Sequence, residues 1–150
     1  MGAMTDPAQP TRAAAATARA TFAELTEGRT FPPMSGREPV DLAAARYVES
    51  EWVASGEATS FDVAATPGDG RFELTAADSA PYATRVLVRR PADPARFSGV
   101  VLVEWLNVSG GQDAAPDWTY LSGEIQRAGH VWVGVSAQYI GVSGGEAAVA

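Results

Sequence analysis

The chain has 150 residues, 46% of them hydrophobic, with four tryptophans, no cysteine and a net charge of −7. That length holds one domain with a real core, or part of a larger one. The acidic balance argues against non-specific nucleic-acid binding, which needs a clustered positive surface, and the missing thiols exclude a disulfide, a thiolate metal site and a cysteine nucleophile.

Residues 1–36 read as an outer arm, partly disordered, with a cloning scar at residues 1–4. Within it "ATARATFAELTEG" has the composition of a short helix ending at Gly28, with Phe22 and Leu25 on one face. The Ala/Thr/Arg tract lacks the leucine-rich core of a signal peptide. No apolar run approaches the roughly 18 residues that cross a bilayer. The expected location is therefore cytoplasmic.

From Tyr47 the texture changes. "YVESEWVASGEATSFDVA" is rich in strand formers, with Gly56 a candidate bulge. "PGDG" predicts a turn, "FELT" a short strand, and "YATRVLVRRP" a further strand stopped by Pro91. After a polar connection comes "VVLVEWL", Val100 to Leu106, an almost unbroken apolar run of the kind expected when both faces of a strand are covered.

The loop "NVSGGQDAAP" leads into "DWTYLSGEIQRAG". There Trp118, Leu121, Ile125 and Ala128 form a stripe at helical spacing, Pro116 suits the first turn, and Gly129 suits the position past the end. "HVWVGVSAQ" follows as a second buried strand. Strand, helix and strand make a βαβ unit with parallel strands, and the β-rich front joined to it points to an α/β fold.

In an open α/β sheet, ligands bind beyond the carboxyl ends of the strands. For the first buried strand that place is Asn107, Val108, Ser109, Gly110 and Gly111. The loop is either a plain turn into the helix or a cradle whose N–H groups receive a developing oxyanion. Asn107-Val108-Ser109 also matches a glycosylation sequon, a poor acceptor at a buried strand end.

Near the end of the chain Gly141-Val142-Ser143-Gly144-Gly145 spells G-x-S-x-G, the pattern of a nucleophile elbow. The partners of such a serine are missing from its surroundings. Only Glu146 follows it as an acid, with no histidine after it. The single imidazole, His130, starts the second buried strand; about seven residues at ~3.3 Å each put it roughly 20 Å from the strand's far end. A general base must come within about 3 Å of the hydroxyl it activates. Ser143 is expected to be a loop serine and a decoy.

Glu104 interrupts the apolar strand. It is either paired or held for acid/base work, and pairing with Arg85 or Arg89 of the preceding strand is the expected role. Asp113 and Asp117 sit where acceptors cap a helix start. One histidine and no ligand pair at useful spacing leave no metal site to expect, and no G-x-G-x-x-G follows either buried strand.

Three stretches, "YVESEWVASGEA", "YATRVLVRRPADPARFSGVVLVEWLNVSGGQDAAPDWTYL" and "RAGHVWVGVSAQYIGVSGG", closely resemble the start of a largely uncharacterised bacterial family of alpha/beta-hydrolase-domain proteins. The likeness runs from about Asp41 to Gly145. It implies that residues 37–150 are the N-terminal portion of an alpha/beta-hydrolase sheet, early strands plus the first βαβ unit, stopping short of the nucleophile elbow. Members of that family are longer, and their nucleophile, acid and histidine are expected on later segments. The resemblance makes Asn107–Gly111 the oxyanion loop, with the N–H groups of Val108 and Ser109 as first choices of donor. It implies a serine acyl-enzyme acting on a small-molecule ester, with no metal or organic cofactor, the 150-residue chain alone being inactive. Half of such a sheet leaves an edge open to self-association. The alternative reading, from another class, is a self-contained, non-catalytic binding or assembly module.

Overall fold

The computed structural model describes residues 19–27, 31–65 and 68–145. The expected scar at residues 1–4 and the expected helix end at Gly28 lie outside them. Seven elements follow in order: β1 (Thr21–Glu24), β2 (Tyr47–Val63), β3 (Leu74–Pro91), β4 (Val101–Trp105), α1 (Pro116–Ala128), β5 (Val131–Val135) and α2 (Tyr139–Ser143), with a single 3-10 turn at Pro94–Arg96.

The strands form one mixed sheet in the order β1-β2-β3-β5-β4. The β1–β2, β2–β3 and β3–β5 pairs are antiparallel, while β4 and β5 are parallel, from Val101↔Val131 to Trp105↔Val135. The βαβ unit is therefore present as expected. The segment expected to be helical is not: Thr21–Glu24 pairs antiparallel with Trp52–Ser55, so a long-range ladder overrides an alanine-rich local preference.

β2 and β3 form one long hairpin. Gly56 pairs in register with Tyr82, and the irregularity lies further out, between Thr59 and Phe61. "FELT" is not a separate strand; β3 begins at Leu74 within it and continues to Pro91.

α1 covers one face of the sheet. Leu87 of β3, Leu106 after β4, Trp118 and Ile125 of α1, Ala115 and Trp132 of β5 make the core, with Val40, Leu42 and Leu102 packed against it. Trp118 and Trp132 meet at 5.3 Å between ring centroids, tilted by 53°, a geometry that aromatic quadrupoles favour. Arg89 lays its guanidinium over both rings, at 4.5 Å and 4.9 Å. Tyr47 ties β2 beneath the helix, its hydroxyl reaching the carbonyls of Ile125 (3.0 Å) and His130 (2.8 Å); burial pushes that phenol above its ordinary pKa.

Two expectations change. Leu121 is 47% exposed, and the buried positions of α1 are Trp118, Thr119, Ser122 and Ile125. The helix is rotated so that Thr119 and Ser122 face the segment before Tyr47 rather than solvent. β4 is covered on one face only: Leu102 and Glu104 turn towards α1, whereas Val101, Val103 and Trp105 on the other face are exposed, the last at 70%. An unbroken apolar run reports that both faces are apolar, not that these residues cover both.

Candidate functional site

At the carboxyl end of β4 the chain enters the loop through Leu106, whose N–H donates to the Val135 carbonyl at 3.0 Å. Asn107 and Ala114 then exchange two backbone hydrogen bonds, of 2.9 Å and 2.7 Å, which close the loop at its base. Inside, Asn107 Oδ1 accepts the Ser109 N–H at 2.9 Å, an Asx turn, and the Gly111 N–H donates to the Val108 carbonyl at 3.0 Å.

Three of the five N–H groups are thus engaged in holding the loop's shape. The Val108 and Gly110 N–H groups have no acceptor among the described residues. Of the two N–H groups that the sequence puts first, that of Val108 lacks an acceptor, as does that of Gly110, whereas that of Ser109 is bonded to Asn107 Oδ1.

The loop is anchored from below by Asp113, which is 2% exposed. Its N–H donates to the Gly141 carbonyl (3.0 Å), and its carbonyl accepts the Met34 N–H (2.7 Å). Its Oδ2 stands 3.4 Å from Arg85 Nη1 and accepts the Ser136 hydroxyl. Arg85, also buried, reaches Glu51 Oε1 at 2.8 Å and the Phe31 carbonyl at 2.9 Å. Through its backbone and its carboxylate together, one residue therefore joins the loop, the arm, β3 and the chain after β5.

Asp113 is not a helix cap, contrary to expectation. The N-cap position is Ala115, which has no side-chain acceptor. Glu104 caps the helix instead, from the sheet: its Oε1 accepts the Asp117 N–H at 2.8 Å, and its Oε2 accepts the Trp118 N–H at 3.0 Å and the Trp132 indole N–H at 2.8 Å. The expected pairing with Arg85 or Arg89 fails because β5 lies between β3 and β4. Arg89 pairs with Glu49 at 2.7 Å. Asp117 does sit in the first turn, as an acidic residue near the positive end of the helix.

Ser143 closes α2, and its hydroxyl donates to the Tyr139 carbonyl at 3.0 Å. It ends a helical turn rather than standing on a strand-to-helix turn. His130 lies at the opposite end of β5, where its Nδ1 meets the Ser98 hydroxyl at 2.6 Å. The two share no contact.

Sequence reasoning missed Met34 and Ser35, which the arm brings to the site. Met34 bridges to Ala114 as a parallel pair, and the Ser35 hydroxyl meets that of Thr119 at 3.1 Å. A cavity of about 630 Å³ opens between this segment, Asn107 and the start of α1. No local pattern signals such an approach across some 80 residues.

Among the described residues there is no group of three or more potential metal ligands, and no helix is long and apolar enough to cross a membrane. Neither the curated proteins nor the solved structures contain a match to the chain. A family model described as an alpha/beta hydrolase domain matches residues 7–149. That match takes in the arm as well as the stretch from Asp41 onwards, accords with the mixed sheet and its parallel β4–α1–β5 unit, and places the chain in the alpha/beta hydrolase domain family.

Proposed function

We propose that this chain supplies the oxyanion cradle and the early strands of a serine-dependent ester hydrolase, and that it does not itself carry the attacking group. The observation that carries this reading is the pair of N–H groups of Val108 and Gly110, without acceptors among the described residues, on a loop whose other N–H groups are fixed. Preorganised donors of this kind act where charge develops in the transition state and need no reorganisation as it forms. The place of the loop, beyond the carboxyl end of a parallel strand, supports it further. Ser143 is left out because its hydroxyl is turned back on its own helix and the one imidazole is at the other end of β5. The buried carboxylate beneath the loop, Asp113, is held at Oδ2 by Arg85 and Ser136, and its Oδ1 has no hydrogen-bond partner among the described residues.

Two measurements test the reading. Incubated with a p-nitrophenyl ester and a fluorophosphonate probe, the 150-residue chain is expected to give no turnover above the blank and no label on Ser143; a labelled Ser143 overturns the assignment. Titrated with a tetrahedral alkylphosphonate anion, the isotope-labelled chain is expected to show the amide signals of Val108 and Gly110 moving, with that of Ser109 following less. Unmoved signals at both would remove the cradle.

Self-association through β4 belongs to the same reading. The outer rim of this strand has no strand partner among the described residues, and Val101, Val103 and Trp105 are exposed beside it. A second copy presenting the same edge would pair the open backbone groups and cover the apolar side chains together. Sedimentation is expected to show concentration-dependent association that Val103→Lys abolishes; a chain that stays monomeric at high concentration would contradict it.

A further inference from the structure

We propose that the cavity between the arm and the middle of α1 binds a small monocarboxylate with an apolar body, held through the Arg89 guanidinium and the Ser122 hydroxyl. The proposal goes beyond the ester-hydrolase reading and does not depend on it, since none of the residues Asn107–Gly111 lines this cavity.

Arg89 is a cation fixed in place with donors to spare. Its side chain is 12% exposed, and its Nε donates to Glu49 Oε2 at 2.7 Å. The guanidinium lies over Trp118 and Trp132, at 4.5 Å and 4.9 Å from their ring centroids. These contacts set the plane of the group, and they leave Nη1 and Nη2 without a hydrogen-bond partner among the described residues. A pair of coplanar donors held in this way matches the two oxygens of a carboxylate.

Ser122 stands one turn along α1 from Trp118, on the same face. It is 8% exposed. A hydroxyl in a helix can close on the carbonyl four residues earlier, as Thr119 does on Ala115 at 2.7 Å. Ser122 does not, and its hydroxyl has no hydrogen-bond partner among the described residues. The unpartnered side-chain atoms sealed from solvent, among those residues, are Asp113 Oδ1 and Gln126 Nε2. The free donors of Arg89 and Ser122 are therefore open to space, and the cavity that both residues line supplies it.

The cavity measures about 620 Å³, within the range of small-ligand sites. Trp118, Val40, Leu42 and Pro39 give it apolar walls. Its other polar groups are engaged or opposed. The Ser35 hydroxyl meets that of Thr119 at 3.1 Å and accepts the Arg37 N–H at 3.2 Å. Arg37 and Glu38, both exposed, bring opposite charges to the lining, and the Arg37 guanidinium lies over the Tyr120 ring at 5.0 Å. With Glu49 already on one edge of Arg89, the balance suits a single negative charge rather than a dianion. The apolar walls suit a hydrocarbon body behind it.

The ¹⁵N-labelled 150-residue chain, titrated with benzoate, benzamide and acetate, tests the proposal. Benzoate is expected to move the amide signals of Trp118 and Ser122. It should bind about tenfold or more tightly than benzamide, which lacks the charge, and than acetate, which lacks the body. Ser122→Ala removes a hydroxyl that has no partner and installs a better helix former. It is expected to unfold at a urea midpoint no lower than the parent's while weakening benzoate about three- to tenfold. Arg89→Lys keeps the charge but loses the paired donors, and is expected to weaken benzoate about tenfold or more. Benzoate and benzamide binding alike would overturn the site. So would benzoate shifts confined to Val108 and Gly110, or a Ser122→Ala chain that binds benzoate as tightly as the parent.

Discussion

Replacing Glu104 with alanine is expected to cost the fold about 3–5 kcal/mol, read as a shift of the urea unfolding midpoint at unchanged slope. The carboxylate is 4% exposed and sits on β4 in the middle of an apolar run, which ordinarily counts against a strand. It is tolerated there because the start of α1 lacks a cap of its own. Ala115 has no side-chain acceptor and Pro116 no N–H, so the free donors of the first turn are those of Asp117 and Trp118. Glu104 accepts both, and its Oε2 also accepts the Trp132 indole N–H. Alanine would leave the buried Trp118 and Trp132 donors unpaired, at about 1–3 kcal/mol each. It would also remove a negative charge from the positive end of the helix, worth roughly 0.3–1 kcal/mol. Glu104→Gln discriminates a cap from an acid/base group. An amide keeps one acceptor but turns an NH₂ towards donors, so the variant is expected to lose about 2 kcal/mol or more. A Glu104→Gln protein as stable as the parent would show that the three hydrogen bonds carry little.

The same residue shows how far the sequence could be read. A carboxylate in "VVLVEWL" announces a buried polar partner, and that much was legible. Its partner was not, because sequence neighbours are not sheet neighbours: the strand ending at Pro91 and the strand starting at Val101 are separated in space by β5. The βαβ unit was legible because its signals are local, with Pro116 opening α1 and Gly129 closing it in a left-handed conformation, φ 75°.

Where the readings failed, long-range contacts had the decisive part. Thr21–Glu24 is a strand only because β2 offers it an edge. Leu121 matches the helical stripe, but Thr119 and Ser122 are buried because the segment leading to Tyr47 packs over them. The loop Asn107–Gly111 could be placed from strand and glycine pattern, yet which of its N–H groups are available follows from Asn107 Oδ1, a side-chain orientation that spacing does not encode. The G-x-S-x-G pattern around Ser143 was legible, but that this serine ends a short helix instead of standing on a strand-to-helix turn follows from the fold.

The second large effect is expected at Asp113, and it takes two substitutions to interpret. Asp113→Ala removes one partner of a buried ion pair and leaves Arg85 with Glu51 and the Phe31 carbonyl, so a loss of about 3 kcal/mol is expected, at the low end for a broken buried pair. Gly141→Ala acts on the same carboxylate from the other side. A methyl on Gly141 would stand 2.0 Å from Asp113 Oδ1 and 2.8 Å from its Cγ. Because Arg85 and Ser136 hold Oδ2, the carboxylate has nowhere to go, and overpacking of this kind costs about 1–3 kcal/mol. In the double variant the new methyl enters space that the carboxylate has vacated, so the two losses are expected to fall short of their sum by at least about 1 kcal/mol. Hydrogen exchange adds the functional reading. Asp113→Ala keeps the backbone bond to Met34 but loses the carboxylate that holds Arg85, which in turn holds the Phe31 carbonyl of the arm. Exchange should therefore speed at Met34, Ala114 and Gly111 together, while Trp132 in the core stays protected. Strict additivity of the two substitutions, or exchange that rises at the arm and not at the loop, would mean that Asp113 does not couple the arm to the cradle.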